Sequence, residues 1–98
     1  MKSFYNYIRY RMIPVTDDWF PCFSGNQIRV SLSIYNQNGR HYCTLTAWGK
    51  DDFGLEKEHI SNTKEENEAK FHEWEKDFES IPDFVNKEWF LARGYKEI

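Results

Sequence analysis

The residues of this chain with the clearest capacity for chemistry are Asp51, Asp52, Glu56, Glu58 and His59. Neighbouring carboxylates can hold a divalent cation, and two-metal sites support hydrolysis and phosphoryl transfer. Read that way, Asp51, Asp52, Glu56 and His59 would serve a small metal-dependent nuclease or hydrolase. The spacing fits neither the EF-hand loop nor HExxH. Asp-Asp before Phe53-Gly54 is also a plain turn sequence. Solvated carboxylates are the common case, so no metal ligand, cofactor or catalytic residue is assigned to them.

The remaining chemistry-bearing residues are sparse. His41 and Cys43 lie two positions apart, and a remote Cys22 could join them at a zinc ion. Structural zinc normally shows paired-ligand clusters such as CxxC, and there is none. Cys43 as a nucleophile is disfavoured by the strand pattern below. No glycine-rich phosphate loop, GxSxG or Walker sequence occurs.

The element that places Cys43 is a hairpin over residues 27–49. Ile28, Val30, Leu32 and Ile34 alternate with Arg29, Ser31, Ser33 and Tyr35, the period of a half-buried strand. Asn38-Gly39 is the preferred loop of a type I′ hairpin, since both positions need positive φ. Paired residues then sum to 77. Ile34 faces Cys43, Leu32 faces Leu45 and Val30 faces Ala47, all apolar or small. Tyr35 faces Tyr42, Ser33 faces Thr44 and Ser31 faces Thr46 on the other side. A slip of one residue would destroy this agreement. Cys43 therefore reads as a small core hydrophobe.

Residues 3–12 have strong β propensity. Phe4, Ile8 and Met12 are expected inward, with Tyr5, Tyr7, Arg9 and Arg11 outward, and Pro14 ends the strand. That aromatic and basic face is the best nucleic-acid candidate, but the acid elsewhere on so small a chain would repel phosphate. Residues 14–26 read as a long connection, in which Trp19, Phe20 and Phe23 either plug the end of the sheet or form a contact loop. Residues 53–60 suit a fourth, edge strand, where Glu56, Lys57 and Glu58 would discourage further pairing.

Helical signals follow. Thr63 and Glu66 have capping-box spacing. Phe71, Trp74 and Phe78, then Ile81, form an apolar stripe at helical spacing across residues 64–79. Pro82 breaks this helix. Asn86 caps a second helix over residues 87–93, which Gly94 stops.

The chain has 98 residues, a formal net charge of −3 and 18% aromatic residues. Disorder is excluded by that aromatic content, and no apolar run approaches a membrane span. A length near 100 residues allows one domain, here 1–98. The opening residues carry no secretory signal, and two cysteines make no disulfide framework, so a reducing, cytoplasmic setting is expected. The charge is unevenly spread. Residues 1–50 hold six basic and two acidic residues, while residues 51–98 hold seven basic and fourteen acidic ones. Such asymmetry points to an interaction surface.

Trp48-Gly49-Lys50-Asp51-Asp52-Phe53-Gly54-Leu55-Glu56-Lys57 resembles segments of small phage- and prophage-encoded proteins. So does Asn86-Lys87-Glu88-Trp89-Phe90-Leu91-Ala92-Arg93-Gly94-Tyr95. The resemblance carries no catalytic motif and implies a small accessory phage product, a group that includes anti-CRISPR inhibitors of bacterial defence. The expected fold is α+β: a three- to four-stranded antiparallel sheet with two C-terminal helices on one face. The expected function is non-enzymatic protein binding inside the bacterial host cell. An acidic helix face of Glu65, Glu66, Glu68, Glu73, Glu75, Asp77 and Glu79 would engage a basic groove of a nucleic-acid-binding defence protein. Trp19 and Phe20 would act as anchors. A homo-oligomeric module that buries the Ser/Thr/Tyr sheet face is a further alternative.

Overall fold

The computed structural model describes residues 7–15, 27–49 and 54–98. These residues form an α+β fold. Its elements are β1 (Tyr7–Pro14), β2 (Gln27–Gln37), β3 (Arg40–Trp48), β4 (Gly54–Ser61), α1 (Lys64–Glu79), α2 (Lys87–Leu91) and β5 (Lys96–Glu97). The strands lie side by side in chain order, every pair antiparallel. The sheet thus has five strands rather than three or four. The addition is a two-residue strand, Lys96–Glu97, beside Leu55 and Glu56, too short to leave a periodic signal.

The hairpin has the register that its side-chain pattern requires. Gln37 faces Arg40, Ile34 faces Cys43 and Val30 faces Ala47. Asn38 and Gly39 take φ of 54° and 78°, the left-handed pair of a type I′ loop. Ile28, Val30, Leu32, Ile34, Cys43, Leu45 and Ala47 form one fully buried face.

Helix α1 lies on that face, against β2, β3 and β4. The Thr63 Oγ1 accepts from the Glu66 amide at 3.1 Å, which closes the helix start. Phe71, Trp74 and Phe78 are buried against the strands, and each such side chain stabilises the fold by roughly 1.5–3 kcal/mol. Asn67 continues this row and is fully buried. Its Nδ2 donates to the Tyr42 carbonyl at 2.9 Å, tying helix to sheet.

The second helix is five residues long, not seven, although its caps are those expected. The Asn86 side chain accepts from the Trp89 amide at 3.0 Å, and Gly94 takes φ 91°. It contributes chiefly Phe90 to the core, packed edge-on against Tyr95 at 5.0 Å. One main helix, rather than two, therefore covers the sheet.

Strand β1 corrects the expected facing. Tyr7, Arg9, Arg11 and Ile13 pair with the core row Ile34, Leu32, Val30 and Ile28, so they project to the helix side. Ile8, Tyr10 and Met12 project to the other face and are exposed. The strand alternates aromatic-cationic with apolar residues, and neither set alone reads as buried. Polar partners decide between them. Arg9 Nη1 lies 2.7 Å from Glu75 and 3.1 Å from Glu79. Arg11 Nη1 donates to the Phe78 carbonyl at 2.9 Å. Both guanidinium groups stand over the Phe78 ring, so their stems supply the apolar cover.

Candidate functional site

The acidic residues of α1 are arranged by the core row. Residues 67, 74 and 78 point at the sheet. One position later fall Glu68, Glu75 and Glu79; one position earlier fall Glu66, Glu73 and Asp77. At 100° per residue these are two rows flanking the buried stripe. The first runs along the β1 side, where Glu75 and Glu79 hold Arg9. The bonds to Glu79 and Glu75 push the Arg9 guanidinium pKa up. The second runs along the β4 side, where Asp77 stands 3.9 Å from Lys57. The outward crest carries Ala69, His72 and Lys76, all exposed.

The seven acids thus divide by role. Glu75, Glu79 and Asp77 help to seat the helix. Glu65, Glu66, Glu68 and Glu73 form no ion pair with the described strands, although the charge of Glu73 is felt by Lys57. Glu66 serves the cap, and Glu73 pairs along the helix with Lys70 at 3.3 Å. The acids not engaged by the strands are thus Glu65, Glu66 and Glu68 in the first half of α1 and Glu73 just past its middle.

Lys57 is the unexpected member of this neighbourhood. Its strand position turns it beneath the helix, opposite Leu45. The ammonium donates to the Arg93 carbonyl at 3.2 Å and lies 4.8 Å from the Trp74 ring centre. Desolvation lowers its pKa, against the opposing pull of Asp77. Reading β4 as an exposed edge hides this, because a charged residue there is taken as solvated.

The opposite sheet face carries Ile8, Tyr10 and Met12 from β1 and Tyr35, Tyr42, Trp48 and Ile60 from β2, β3 and β4. Its middle positions are Ser31, Ser33, Thr44 and Thr46. The Tyr35 and Tyr42 rings stack at 5.0 Å. Desolvation raises the Tyr35 pKa, as does the nearby Glu58. Arg29 lies 5.9 Å over the Tyr10 ring. No described helix packs on this face. The sequence signal for it was β1 itself, whose two faces are close to equal in hydrophobicity.

Glu56 and His59 point to opposite faces of β4. Glu56 faces Thr46 on the outer side; His59 faces Cys43 on the helix side and meets Trp74 edge-on at 6.3 Å. Burial raises the Glu56 carboxyl pKa, with Glu58 adding to the shift. Among the described residues, no three of His, Cys, Asp and Glu are grouped to hold a metal ion. Asp51, Asp52, Trp19, Phe20, Phe23, Phe4, Tyr5 and Cys22 lie outside the described residues. Cys43 is fully buried, and burial pushes its thiol up to about 12, which removes it as a nucleophile near neutral pH. A groove of about 480 Å³ beside β4 is lined by Glu56, Lys57, Glu58, Trp74, Gly94, Lys96, Glu97 and Ile98. No described helix is long and apolar enough to cross a membrane.

No protein-family model, curated protein or solved structure matches the chain.

Proposed function

We propose that this chain is a non-enzymatic, protein-binding inhibitor of the phage type. It places the acidic first half of α1 in a basic groove of a bacterial defence protein, one that otherwise holds nucleic acid. The observation that carries this reading is the charge of α1, seven acidic against three basic residues. Of the four acids that make no bond to the described strands, Glu65, Glu66 and Glu68 lie at the start of the helix and Glu73 just past its middle. The defence-inhibitor assignment rests on the resemblance of residues 48–57 and 86–95 alone. Electrostatic complementarity of this kind speeds association and fixes orientation.

The test is capture from host lysate with the full chain and with a Glu65→Lys, Glu68→Lys, Glu73→Lys variant. The wild-type chain is expected to retain a nucleic-acid-binding protein that competing nucleic acid displaces. The triple reversal should weaken that complex at least about tenfold, a loss of about 1.4 kcal/mol. Equal capture by both chains would overturn the reading. Glu66 is left unchanged because it completes the helix cap.

A further inference from the structure

Strand β1 has one edge on β2 and another that no described strand pairs. The hairpin shows which residues face outward. Across a two-residue loop the closing pair, Gln37 and Arg40, exchanges both hydrogen bonds. Bonding alternates from there, so Ile34, Leu32, Val30 and Ile28 bond towards β1. Their partners Tyr7, Arg9, Arg11 and Ile13 turn their amides inward. Ile8, Tyr10 and Met12 therefore turn both N–H and C=O outward. Pro14 agrees with this parity. Its carbonyl accepts from the Val85 amide at 3.4 Å on the outer side, and it has no N–H to leave unpaired.

The same three residues are 61%, 64% and 41% exposed. Native edges are usually guarded by outward charge. Here the strand's cationic heads are drawn away, Arg9 onto Glu75 and Glu79 and Arg11 onto the Phe78 carbonyl. What remains at the edge is apolar, with three unpaired backbone donors and three unpaired acceptors among the described residues.

We infer that β1 is a dimerisation edge, and that its occupant is a second copy of this chain paired antiparallel about a twofold axis at Tyr10. In that register Tyr10 lies opposite the partner's Tyr10, and Ile8 lies opposite the partner's Met12. Every pair on the outer face is apolar. About six hydrogen bonds close the ladder, and Pro14 falls beyond its end. On the helix side Arg9 comes opposite the partner's Arg11, but each chain also brings Glu75 and Glu79, so the seam balances in charge. Helix α1 packs chiefly on β2, β3 and β4 and covers the inner face of β1 through Phe71, Glu75, Phe78 and Glu79, which leaves the outward backbone groups of β1 uncovered among the described residues. An isologous edge of this kind is self-complementary by construction. A ladder of three residues per copy buries less than the roughly 1,200–2,000 Å² of a stable interface, so association in the micromolar range, about 1–100 µM, is expected. The inference does not rest on the acidic-helix reading, although a dimer would carry both acidic helices on one side.

The experiment is sedimentation equilibrium of the full chain from about 1 to 500 µM, a range that spans this affinity. Tyr10→Pro removes the central outward N–H and no hydrogen bond to β2. Tyr10→Lys instead places a charge at the axis, and it carries the test if the proline variant fails to fold. The wild-type chain is expected to dimerise reversibly. Whichever variant keeps the wild-type circular dichroism spectrum should dimerise at least about fiftyfold more weakly. A monomer across the whole range, or a dimer that a folded variant leaves unchanged, would overturn the inference.

Discussion

Cys43 and Lys57 are neighbours of opposite tendency at the residue scale. The Cys43 thiol is held neutral by burial, with its pKa pushed up to about 12. In the unfolded chain it ionises at the ordinary thiol value. The native state therefore keeps its full advantage below that value and loses it as pH rises towards 12. Burial raises Tyr95 in the same direction. Lys57 opposes both, because its lowered pKa favours the fold as pH climbs towards the ordinary lysine value. A Cys43→Ala variant should thus lose less stability than the wild type between about pH 9 and 11, read by urea unfolding at each pH. In native protein at pH 8, iodoacetamide should leave Cys43 unmodified by peptide mass spectrometry; unfolding should expose it to modification. For Lys57, most of the value lies in its stem and in the cover of Trp74. Lys57→Met should change stability by less than about 1 kcal/mol, whereas Lys57→Ala should cost about 1–2 kcal/mol.

At the element scale β1 gives the sharpest test, because its two faces differ so little in composition. Ile13 is buried opposite Ile28, while Ile8 is exposed opposite Ser33. Ile13→Ala should cost about 2–4 kcal/mol and Ile8→Ala less than about 0.5. The reverse order in chemical denaturation would restore the facing that the sequence pattern suggested. The hairpin was legible because its residues sort cleanly, with apolar or small pairs on one side and hydroxyl or aromatic pairs on the other. Strand β1 was not, since arginines buried along their stems and a surface row of Ile8, Tyr10 and Met12 invert the usual sorting. The helix was legible in its cap and its aromatic stripe. Its acids were legible as a group, but their division into helix-seating and free members was not. That division depends on where Arg9 and Lys57 point. The sheet partners of α1 include one buried polar contact, through Asn67. Asn67→Asp should cost more than about 3 kcal/mol at neutral pH, since it buries a charge and loses the donor to the Tyr42 carbonyl. Lowering the pH should recover part of that loss.

For the whole molecule, the two faces of the sheet carry different kinds of surface. The helix side is covered by α1, with its acids along both flanks; the other side is aromatic and hydroxylic. The proposed association through the acidic helix should slow steeply as ionic strength rises from about 50 to 300 mM, since exposed charges are screened within about 10 Å at 0.1 M salt. Stopped-flow mixing with the captured partner would show it. On the outer face Trp48 closes tightly over Gly54, its partner across the strands. A Cβ on Gly54 would stand 2.8 Å from Trp48 Cε3, so Gly54→Ala must displace an aromatic ring of the outer face. It should cost about 1–3 kcal/mol in thermal unfolding.

The order of the strands has a kinetic consequence. Because each strand lies beside its predecessor in the chain, the sheet can grow outward from the Asn38-Gly39 loop. Most of its pairing then closes only short loops of chain. Pairing each strand onto its predecessor keeps the loop-closure cost of each step small. The exceptions both involve the last part of the chain: Val85 reaches back to Val15, and Lys96 and Glu97 reach back to β4. These distant closures are the natural last events of assembly, and the first to open under native-state hydrogen exchange.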